Sequence, residues 1–375
     1  MSDAAPTPPA EGAPSGLRRT DYATQVAWGR ALLGYDFGNR HPMHPSRLDM
    51  TARLCEELGL FAQPRLAVVE PHVASDDELA AVHTRDYIEV VRRVSEDPSW
   101  PEPERGIGTD DDPAFAGMHE ASARIAGGSL EAADAVLAGR VQHAVNFAGG
   151  MHHAAAGRAS GFCIYNDAAL AIQRLLDGGL ERVAYIDTDA HHGDGTQSIF
   201  WNEPRVLTIS LHESGLTLFP GTGFAGETGG PDAPGSAVNV ALPARTADGG
   251  WLRAFHAVVP PLVEAFRPDA IVSQHGCDSH ALDPLANLRT SIDAQREAAL
   301  SVSRLAARFC GDRWIATGGG GYDVLRVVPR AWTHLVAVAA GHPIALRADV
   351  PAAWRDYVAA TYPERLGPGE EPPER

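Results

Sequence analysis

Two kinds of apolar pattern alternate along the chain. Short runs rich in β-branched residues predict buried strands, and apolar residues that recur every three or four positions predict amphipathic helices. The predicted strands are Val141–Phe147, Val183–Asp187, Val206–Leu211, Ala270–Gln274 and Trp314–Thr317. The predicted helices are Arg47–Leu58, Ala116–Ala138, Ala168–Leu176, Trp251–Phe266 and Ile292–Phe309. Because apolar strands alternate with helices, we predict an α/β fold with a central parallel sheet and helices on both faces.

Unusual polar groups follow four of the predicted strands. These segments are Ala-Gly-Gly-Met-His-His (148–153), Asp-Thr-Asp-Ala-His-His-Gly-Asp-Gly (187–195), His-Gly-Cys-Asp (275–278) and Gly-Gly-Gly-Gly-Tyr (318–322). In open α/β sheets the ligand lies beyond the carboxyl ends of the strands. We therefore expect the functional groups of this protein at that edge of the sheet.

The first of these groups favours a metal ion. Asp187, Asp189 and His191 alternate along an extended strand end, so their side chains point to one side. Two carboxylates and an imidazole that converge there favour a cation over a merely hydrogen-bonded strand end. Asp278 from another strand end adds a further carboxylate, and an Asp/His/Asp set with an open position is typical of catalytic zinc.

Two more features belong to hydrolytic chemistry. His152 and His153 follow two glycines, and Asp187 and Asp194 could each accept a hydrogen bond from one imidazole and fix its tautomer. Tyr322 follows four glycines, and such a run lets a phenol approach a reacting centre closely. A base, an orienting carboxylate and a phenol beside a metal suit the activation of water.

The charge balance excludes some classes of binding partner. The 375-residue chain has 48 acidic and 31 basic residues, and its formal net charge is −17. All 31 basic residues are arginine. Binding to nucleic acid or to an anionic membrane surface depends on clustered basic residues, so we expect neither partner. The absence of lysine excludes a Schiff-base nucleophile.

The apolar runs, the cysteines and the chain ends indicate the cellular compartment and the limits of the domain. No apolar run reaches the roughly 18 residues of a membrane span, and the start lacks a signal-peptide pattern. The four cysteines are far apart with no Cys-x-x-Cys pair, which favours a reducing compartment, and we expect a cytoplasmic protein. Residues 1–16 and 364–375 have no periodicity and are predicted to be disordered tails around a single catalytic domain of residues 17–363.

Together the motifs resemble the zinc-dependent histone deacetylase family, and their order along the chain matches. The segments that carry the resemblance are Gly149–Ala154, Gly161–Asn166, Asp187–Gly195, Phe219–Gly223, Asp278 and Gly318–Tyr322. His41–Leu48 is similar to the bacterial acetoin-utilization deacetylase branch. The resemblance covers roughly residues 25 to 345. It implies the arginase/deacetylase fold, a zinc cofactor and a structural potassium ion.

The resemblance also assigns roles to residues. The implied zinc ligands are Asp189, His191 and Asp278, and the implied catalytic residues are His152, His153, Asp187, Asp194 and Tyr322. The implied substrate contacts are Gly161, Phe162 and Phe219 in an acyl-lysine tunnel, Asp111 at its rim, Leu285 at its mouth and Arg47 in an internal acetate channel. The implied potassium ligands are Asp187, Asp189, His191, Ser210 and Leu211.

The leading functional hypothesis is hydrolysis of Nε-acetyl-lysine in proteins or peptides. In it, a water at the zinc attacks the amide, the histidine pair serves as acid and base, and Tyr322 donates to the oxyanion. By analogy with the branch, acetylated acetyl-CoA synthetase is a candidate partner.

Three alternatives stay open. An acetylpolyamine amidohydrolase of this family has a glutamate after the Asp-Pro pair, where this chain has Leu285. A binuclear manganese ureohydrolase shares the fold, but His280 stands where its motif supplies another aspartate. A non-catalytic acyl-lysine-binding module is disfavoured because all three ligands and the tyrosine are present. His275 and His280 are unusual beside the third ligand. We expect His280 to bond to a neighbouring group rather than to alter the metal preference, and the role of His275 stays open.

Overall fold

A computed structural model describes residues 23–366 and 371–374. Its centre is one sheet of eight strands, all of them parallel. The strands are β1 (Thr24–Ala27), β2 (Leu66–Val69), β3 (His143–Asn146), β4 (Val183–Asp187), β5 (Val206–Glu213), β6 (Ala237–Leu242), β7 (Ala270–Gln274) and β8 (Trp314–Thr317). Their spatial order is β2-β1-β3-β8-β7-β4-β5-β6. The predicted parallel α/β fold is confirmed.

Ten α-helices surround the sheet in the described part of the chain. They are α1 (Ser46–Glu57), α2 (Asp76–Leu79), α3 (Arg85–Glu96), α4 (Met118–Leu137), α5 (Asp167–Asp177), α6 (Asp194–Ile199), α7 (Asp248–Phe266), α8 (Ile292–Phe309), α9 (Val328–Ala339) and α10 (Ala352–Thr361). Short 3₁₀ helices lie at Arg30–Gly34, Pro103–Arg105 and Pro363–Arg365. Within the described ranges, no helix has both the length and the apolar character that crossing a membrane requires.

The sheet order explains why the polar strand ends converge. β3, β8, β7 and β4 are successive neighbours at its centre, and each is followed by one of the polar segments singled out in the sequence. Every residue of these four strands is buried. Their carboxyl ends therefore form a rigid edge that delivers four loops to one place.

The sequence pattern predicted the central elements better than the outer ones. All five predicted strands and five predicted helices are present, with ends that shift by a few residues. The outer strands β1, β2 and β6 were not predicted. Gln25 interrupts the apolar residues of β1, and Asn239 interrupts those of β6. β2, Leu-Ala-Val-Val, is a short apolar run at one edge of the sheet that was not assigned as a strand.

The chain ends complete the description. The predicted tail of residues 1–16 lies outside the described residues. Of the predicted tail 364–375, the structure describes residues 364–366 and 371–374. Pro363–Arg365 form a 3₁₀ helix, and the Val350 amide donates to the Glu374 carbonyl at 2.8 Å. Leu366 packs with a small apolar cluster that includes Trp354.

Candidate active site at the ends of the central strands

Three side chains meet where β4 and β7 end. Ligand atoms of Asp189, His191 and Asp278 all lie within 4.8 Å of one another, and the three residues are buried. They form the only such group of metal-binding side chains in the described residues. His191 Nδ1 is 2.8 Å from Asp278 Oδ2 and 3.1 Å from Asp189 Oδ1. The structure thus brings together the three ligands predicted from the sequence.

Backbone and amide donors fix the two carboxylates of this group. Asp189 Oδ2 accepts from the Gly320 amide at 2.8 Å and from Gln274 Nε2 at 2.7 Å. Asp278 Oδ1 accepts from the Ala190 amide at 2.7 Å. These donors come from three different strand ends, so the positions of the carboxylates follow from the sheet itself.

The chemistry of this group fits a cation. Burial raises the pKa of Asp278 to about 7, and the neighbouring Asp189 carboxylate adds to the rise. Burial alone would lower the pKa of His191, but Asp278 and Asp189 outweigh it and raise that pKa well above its ordinary value. Two buried carboxylates are costly to keep charged without a positive partner. A divalent metal ion is such a partner, and two carboxylates with one imidazole suit zinc.

Both histidines of the tandem pair are held by a carboxylate. His152 Nδ1 is 2.8 Å from Asp187 Oδ2, and His153 Nδ1 is 2.6 Å from Asp194 Oδ1. The two rings lie 4.1 Å apart, centroid to centroid. Each Nδ1 donates to its carboxylate, which leaves Nε2 as the nitrogen available for a substrate or a water. The predicted pairing of the histidines with Asp187 and Asp194 is present in the structure.

The two histidines have different electrostatic surroundings. Burial lowers the pKa of His153, and the proximity of His152 lowers it further. Burial also acts to lower the pKa of His152, but Asp187 and Asp189 outweigh it and raise that pKa to about 9. Neighbouring groups whose pKa values are pushed apart are suited to separate proton-transfer roles.

Tyr322 lies at the edge of this group. Its amide donates to Asp283 Oδ2 at 2.7 Å, and its ring packs edge-on against Phe162 at 5.7 Å between centroids. Burial raises the pKa of the Tyr322 hydroxyl well above its ordinary value, so the group remains a proton donor at neutral pH. That hydroxyl has no hydrogen-bond partner among the described residues.

Aromatic side chains flank the histidines on the way out to solvent. The Phe219 ring is 5.1 Å from that of His153 and 45% exposed. The Phe162 ring packs against that of Tyr322, with 5.7 Å between centroids, and its φ is +67°. The preceding Gly161 has no room for a side chain, because a Cβ there would lie 2.3 Å from the His153 ring. Of the two predicted tunnel walls, Phe219 therefore contacts the histidine pair and Phe162 contacts Tyr322.

The other predicted substrate contacts have different surroundings. The Asp111 carboxylate accepts from the Gly161 amide at 2.8 Å, so it contacts the tunnel wall itself. Leu285 is 36% exposed, and its amide donates to Asp283 Oδ1 at 2.9 Å. Arg47 is buried and donates to the carbonyls of Gly319 and Gly321, at 3.1 and 3.0 Å.

Arg47 also borders empty space. A small cavity adjoins it, and its lining includes Tyr35, Met43, Ile125 and Met151. The buried guanidinium has no carboxylate partner in the described part of the chain, and its Nε is unpaired. Such a position suits transient binding of an anion.

The two unusual histidines near the third ligand both bond to neighbouring groups. His275 Nε2 is 2.8 Å from Ser273 Oγ, and burial lowers the pKa of His275 to about 4. His280 Nδ1 accepts from the Leu282 amide at 3.1 Å. Neither belongs to the group that could hold a metal. A second metal position of the ureohydrolase type therefore has no support in the described residues.

Sequence reasoning missed four residues that position this site. Tyr185 donates its hydroxyl to Asp187 Oδ2 at 2.7 Å. Asp167 accepts from the Gly150 and Met151 amides, at 2.9 and 2.8 Å, just before the histidine pair. The other two are Gln274 and Asp283. The alternation of Tyr185 with Asp187 on one face of β4 was a usable signal, whereas Asp167 and Asp283 act through loops whose path the spacing does not fix.

Comparison with known proteins decides the family. Residues 41–339 match the sequence model of the histone deacetylase domain. The chain belongs to the histone deacetylase family. The matched range includes every candidate site residue named above, and the family membership implies a metal cofactor and deacetylase chemistry.

Individual relatives indicate the branch. Acetoin utilization protein AcuC of Bacillus subtilis (strain 168) is 45% identical over 303 residues, which cover 80% of this chain and 78% of that protein. AcuC of Staphylococcus xylosus is 38% identical over 353 residues, which cover 93% of this chain and 91% of that protein. The predicted acetoin-utilization branch of the family is confirmed.

Proposed function

We propose that this histone deacetylase family member is a zinc-dependent hydrolase of Nε-acetyl-lysine in proteins or peptides. One observation carries the proposal. A buried Asp/His/Asp group lies beside two carboxylate-bound histidines and a tyrosine hydroxyl that has no partner in the described residues. Metal ligands, a base and an oxyanion donor are the parts that amide hydrolysis requires.

Asp189, His191 and Asp278 would hold the zinc. When bound, zinc would polarise the acetyl carbonyl and make the attacking water more acidic. The protein's part is to keep the two carboxylates charged and converging, which the Gly320 and Ala190 amides do. Three protein ligands leave positions open for the substrate and the water.

His153 is assigned the proton transfers. Asp194 orients its ring, and burial favours the neutral imidazole, which is the form that accepts a proton at Nε2. After the amide carbon has been attacked, the same nitrogen returns the proton to the leaving lysine amine. His152, held by Asp187 and with its Nε2 3.9 Å from Asp189 Oδ2, is assigned the second hydrogen-bond contact with the attacking water.

Tyr322 is assigned the oxyanion. Its hydroxyl donates to the acetyl oxygen as negative charge develops there. The lysine stem would lie between Phe162 and Phe219, and burial of its four methylenes contributes about 3 kcal/mol at ~0.8 kcal/mol each. A tunnel of this kind selects for the length of the acylated side chain.

The tunnel mouth favours a peptide over an acetylated polyamine. Leu285 cannot pair with the distal ammonium of a polyamine. Leu216 and Leu282, on the loops that carry Phe219 and Leu285, are 82% and 46% exposed. The Glu213 carboxylate joins these loops, because it accepts from the amide and the side chain of Asn287 at 2.8 and 2.9 Å. Exposed apolar side chains around a binding site are typical of a surface that meets another protein.

The remaining assignments belong to the same proposal. A structural potassium ion would be held by Asp187, Asp189, His191, Ser210 and Leu211. In support of this site, Asp187 and Ser210 are paired across the neighbouring strands β4 and β5.

All four cysteines are buried free thiols, which fits a reducing compartment such as the cytoplasm. Acetyl-CoA synthetase is the candidate protein substrate.

Metal removal and a substrate panel test the proposal. Chelation should abolish hydrolysis of an acetyl-lysine peptide, and one equivalent of zinc per chain should restore it. Two bound manganese ions per chain, with hydrolysis of a guanidino substrate and none of the acetylated peptide, would favour the ureohydrolase. Full activity in a chain shown to carry no metal would overturn the mechanism.

A further inference from the structure

Asp283 is a buried carboxylate that metal binding does not explain. It is 8% exposed and has no ion-pair partner in the described residues. Its two oxygens accept from two backbone amides, Oδ1 from Leu285 at 2.9 Å and Oδ2 from Tyr322 at 2.7 Å. It is not one of the residues whose ligand atoms converge on the metal position. Its carboxylate is therefore committed to the backbone of two loops.

The Tyr322 loop depends on outside contacts for its position. Four glycines precede the tyrosine, and Gly319 and Gly321 have φ values of +148° and +140°, a region that side chains rarely adopt. A glycine run imposes little conformational preference of its own. Whatever fixes the phenol must therefore come from groups that bind this loop.

Those contacts divide into two sets. Arg47 binds the carbonyls of Gly319 and Gly321, and the Gly320 amide and carbonyl bind Asp189 and the Cys277 amide. All of these hold the glycines. The Tyr322 amide itself has one partner, Asp283. This contact is nearest to the bonds that aim the tyrosine side chain.

We propose that Asp283 is a positioning residue that holds the Tyr322 hydroxyl in place at the metal centre. The same carboxylate also binds the amide of the mouth residue Leu285. The inference rests on the proposed function and adds a residue to it. Asp283 lies five positions after Asp278, so one loop carries both a metal ligand and the anchor of the oxyanion donor. The distance between metal and phenol is thereby set within a single short segment.

A double-mutant cycle tests this role. Asp283→Ala should lower kcat by about 10- to 100-fold with KM within about twofold, because a misplacement near 1 Å costs on the order of 10² in rate. Asp283→Asn keeps one acceptor oxygen and should lose less. In a Tyr322→Phe background, Asp283→Ala should change kcat by less than about twofold, because residues that act through one group are not additive.

A matched control separates positioning from general stability. Asp269 directly precedes the first residue of β7, at the end of the strand away from the metal site. Its Oδ2 likewise accepts from two backbone amides, Glu181 at 2.8 Å and Arg182 at 2.9 Å. Asp269→Ala should leave kcat, bound zinc and the exchange of the Tyr322 segment unchanged. It reports what loss of such a carboxylate costs in thermal stability alone.

Hydrogen exchange gives a readout without substrate. Measured by mass spectrometry on the zinc-loaded protein, Asp283→Ala should speed amide exchange in the peptide containing Tyr322, with zinc content unchanged. Multiplicative losses in the cycle, loss of zinc, or unchanged exchange at Tyr322 would overturn the inference. If the parent protein has no deacetylase activity, the proposed function fails instead, and the exchange experiment still decides whether Asp283 holds this loop.

Discussion

The floor of the candidate site and its mouth are built in different ways. The floor consists of Asp189, His191 and Asp278, which are all buried and whose carboxylates accept hydrogen bonds from neighbouring strand ends. The mouth contains Phe219 and Leu285, which are 45% and 36% exposed and stand on loops. The floor is thus fixed by the sheet, and the mouth by loop contacts.

This difference separates two kinds of function. A floor that is fully bonded has no alternative arrangement, so a change there should remove the metal and with it the chemistry. The mouth contacts the part of the substrate that does not react. Changes at the mouth should therefore alter which acylated amine is chosen while the chemical step survives.

The largest expected effect comes from the floor. Asp278→Ala should abolish both zinc binding and hydrolysis, because it removes one of three protein ligands and the acceptor of the Ala190 amide. Zinc per chain and peptide hydrolysis are measured together, with Asp269→Ala as the control from the other end of the same strand. A variant that keeps full zinc and activity would show that the ligand set is wrong.

The next largest effect is expected at Tyr322, which lies between the floor and the mouth. Tyr322→Phe should retain zinc and lower kcat by roughly 10²–10³, the cost of removing one oxyanion donor. The ring contact with Phe162 is kept in this variant, so KM should change little. Parent-like turnover would mean that the hydroxyl does not stabilise the transition state.

The same contrast explains how far the sequence could be interpreted. Strand spacing predicted that Asp187, Asp189 and His191 share one side of an extended strand end. In the structure β4 ends at Asp187, and Asp189 and His191 lie in the bend that follows. The convergence of Asp278 and Tyr322 followed from the rule that ligands lie at the carboxyl ends of parallel strands. The family resemblance supplied the roles of these residues, and the structure supplied their distances.

Residues that act through loops could not be predicted in this way. Nothing in the spacing of Asp167 indicated that it binds the Gly150 amide, and nothing in that of Asp283 indicated that it binds the Tyr322 amide. Asp111 stays a predicted substrate contact, and the hydrogen bond of its carboxylate with the Gly161 amide was not predicted. Loop paths depend on tertiary contacts that leave no periodic signal in the sequence.

A smaller effect is expected from the tunnel wall. Phe219→Ala should lower kcat/KM for an acetyl-lysine peptide by about 5- to 10-fold, since one of two apolar walls around a stem worth about 3 kcal/mol is lost. Phe224→Ala is the matched control, because Phe224 is 37% exposed on the same segment and its ring contacts none of the site histidines. Equal losses in the two variants would show that the effect arises from the segment as a whole.

The smallest effect is a change of preference at the mouth. The parent protein should hydrolyse acetyl-lysine peptides with a higher kcat/KM than acetylspermidine, because Leu285 offers no charge to the distal ammonium. Leu285→Glu should narrow this gap by a few fold, as expected for one partly exposed ion pair worth up to about 1 kcal/mol. Since the net charge of −17 attracts any cation, both substrates are compared at moderate salt, where non-specific attraction is screened. Leu282→Glu adds the same charge on the same loop, at a residue 46% exposed, and controls for attraction that does not depend on position. A parent protein that prefers acetylspermidine would reverse the assignment of substrate class, while the floor and its metal chemistry would stand.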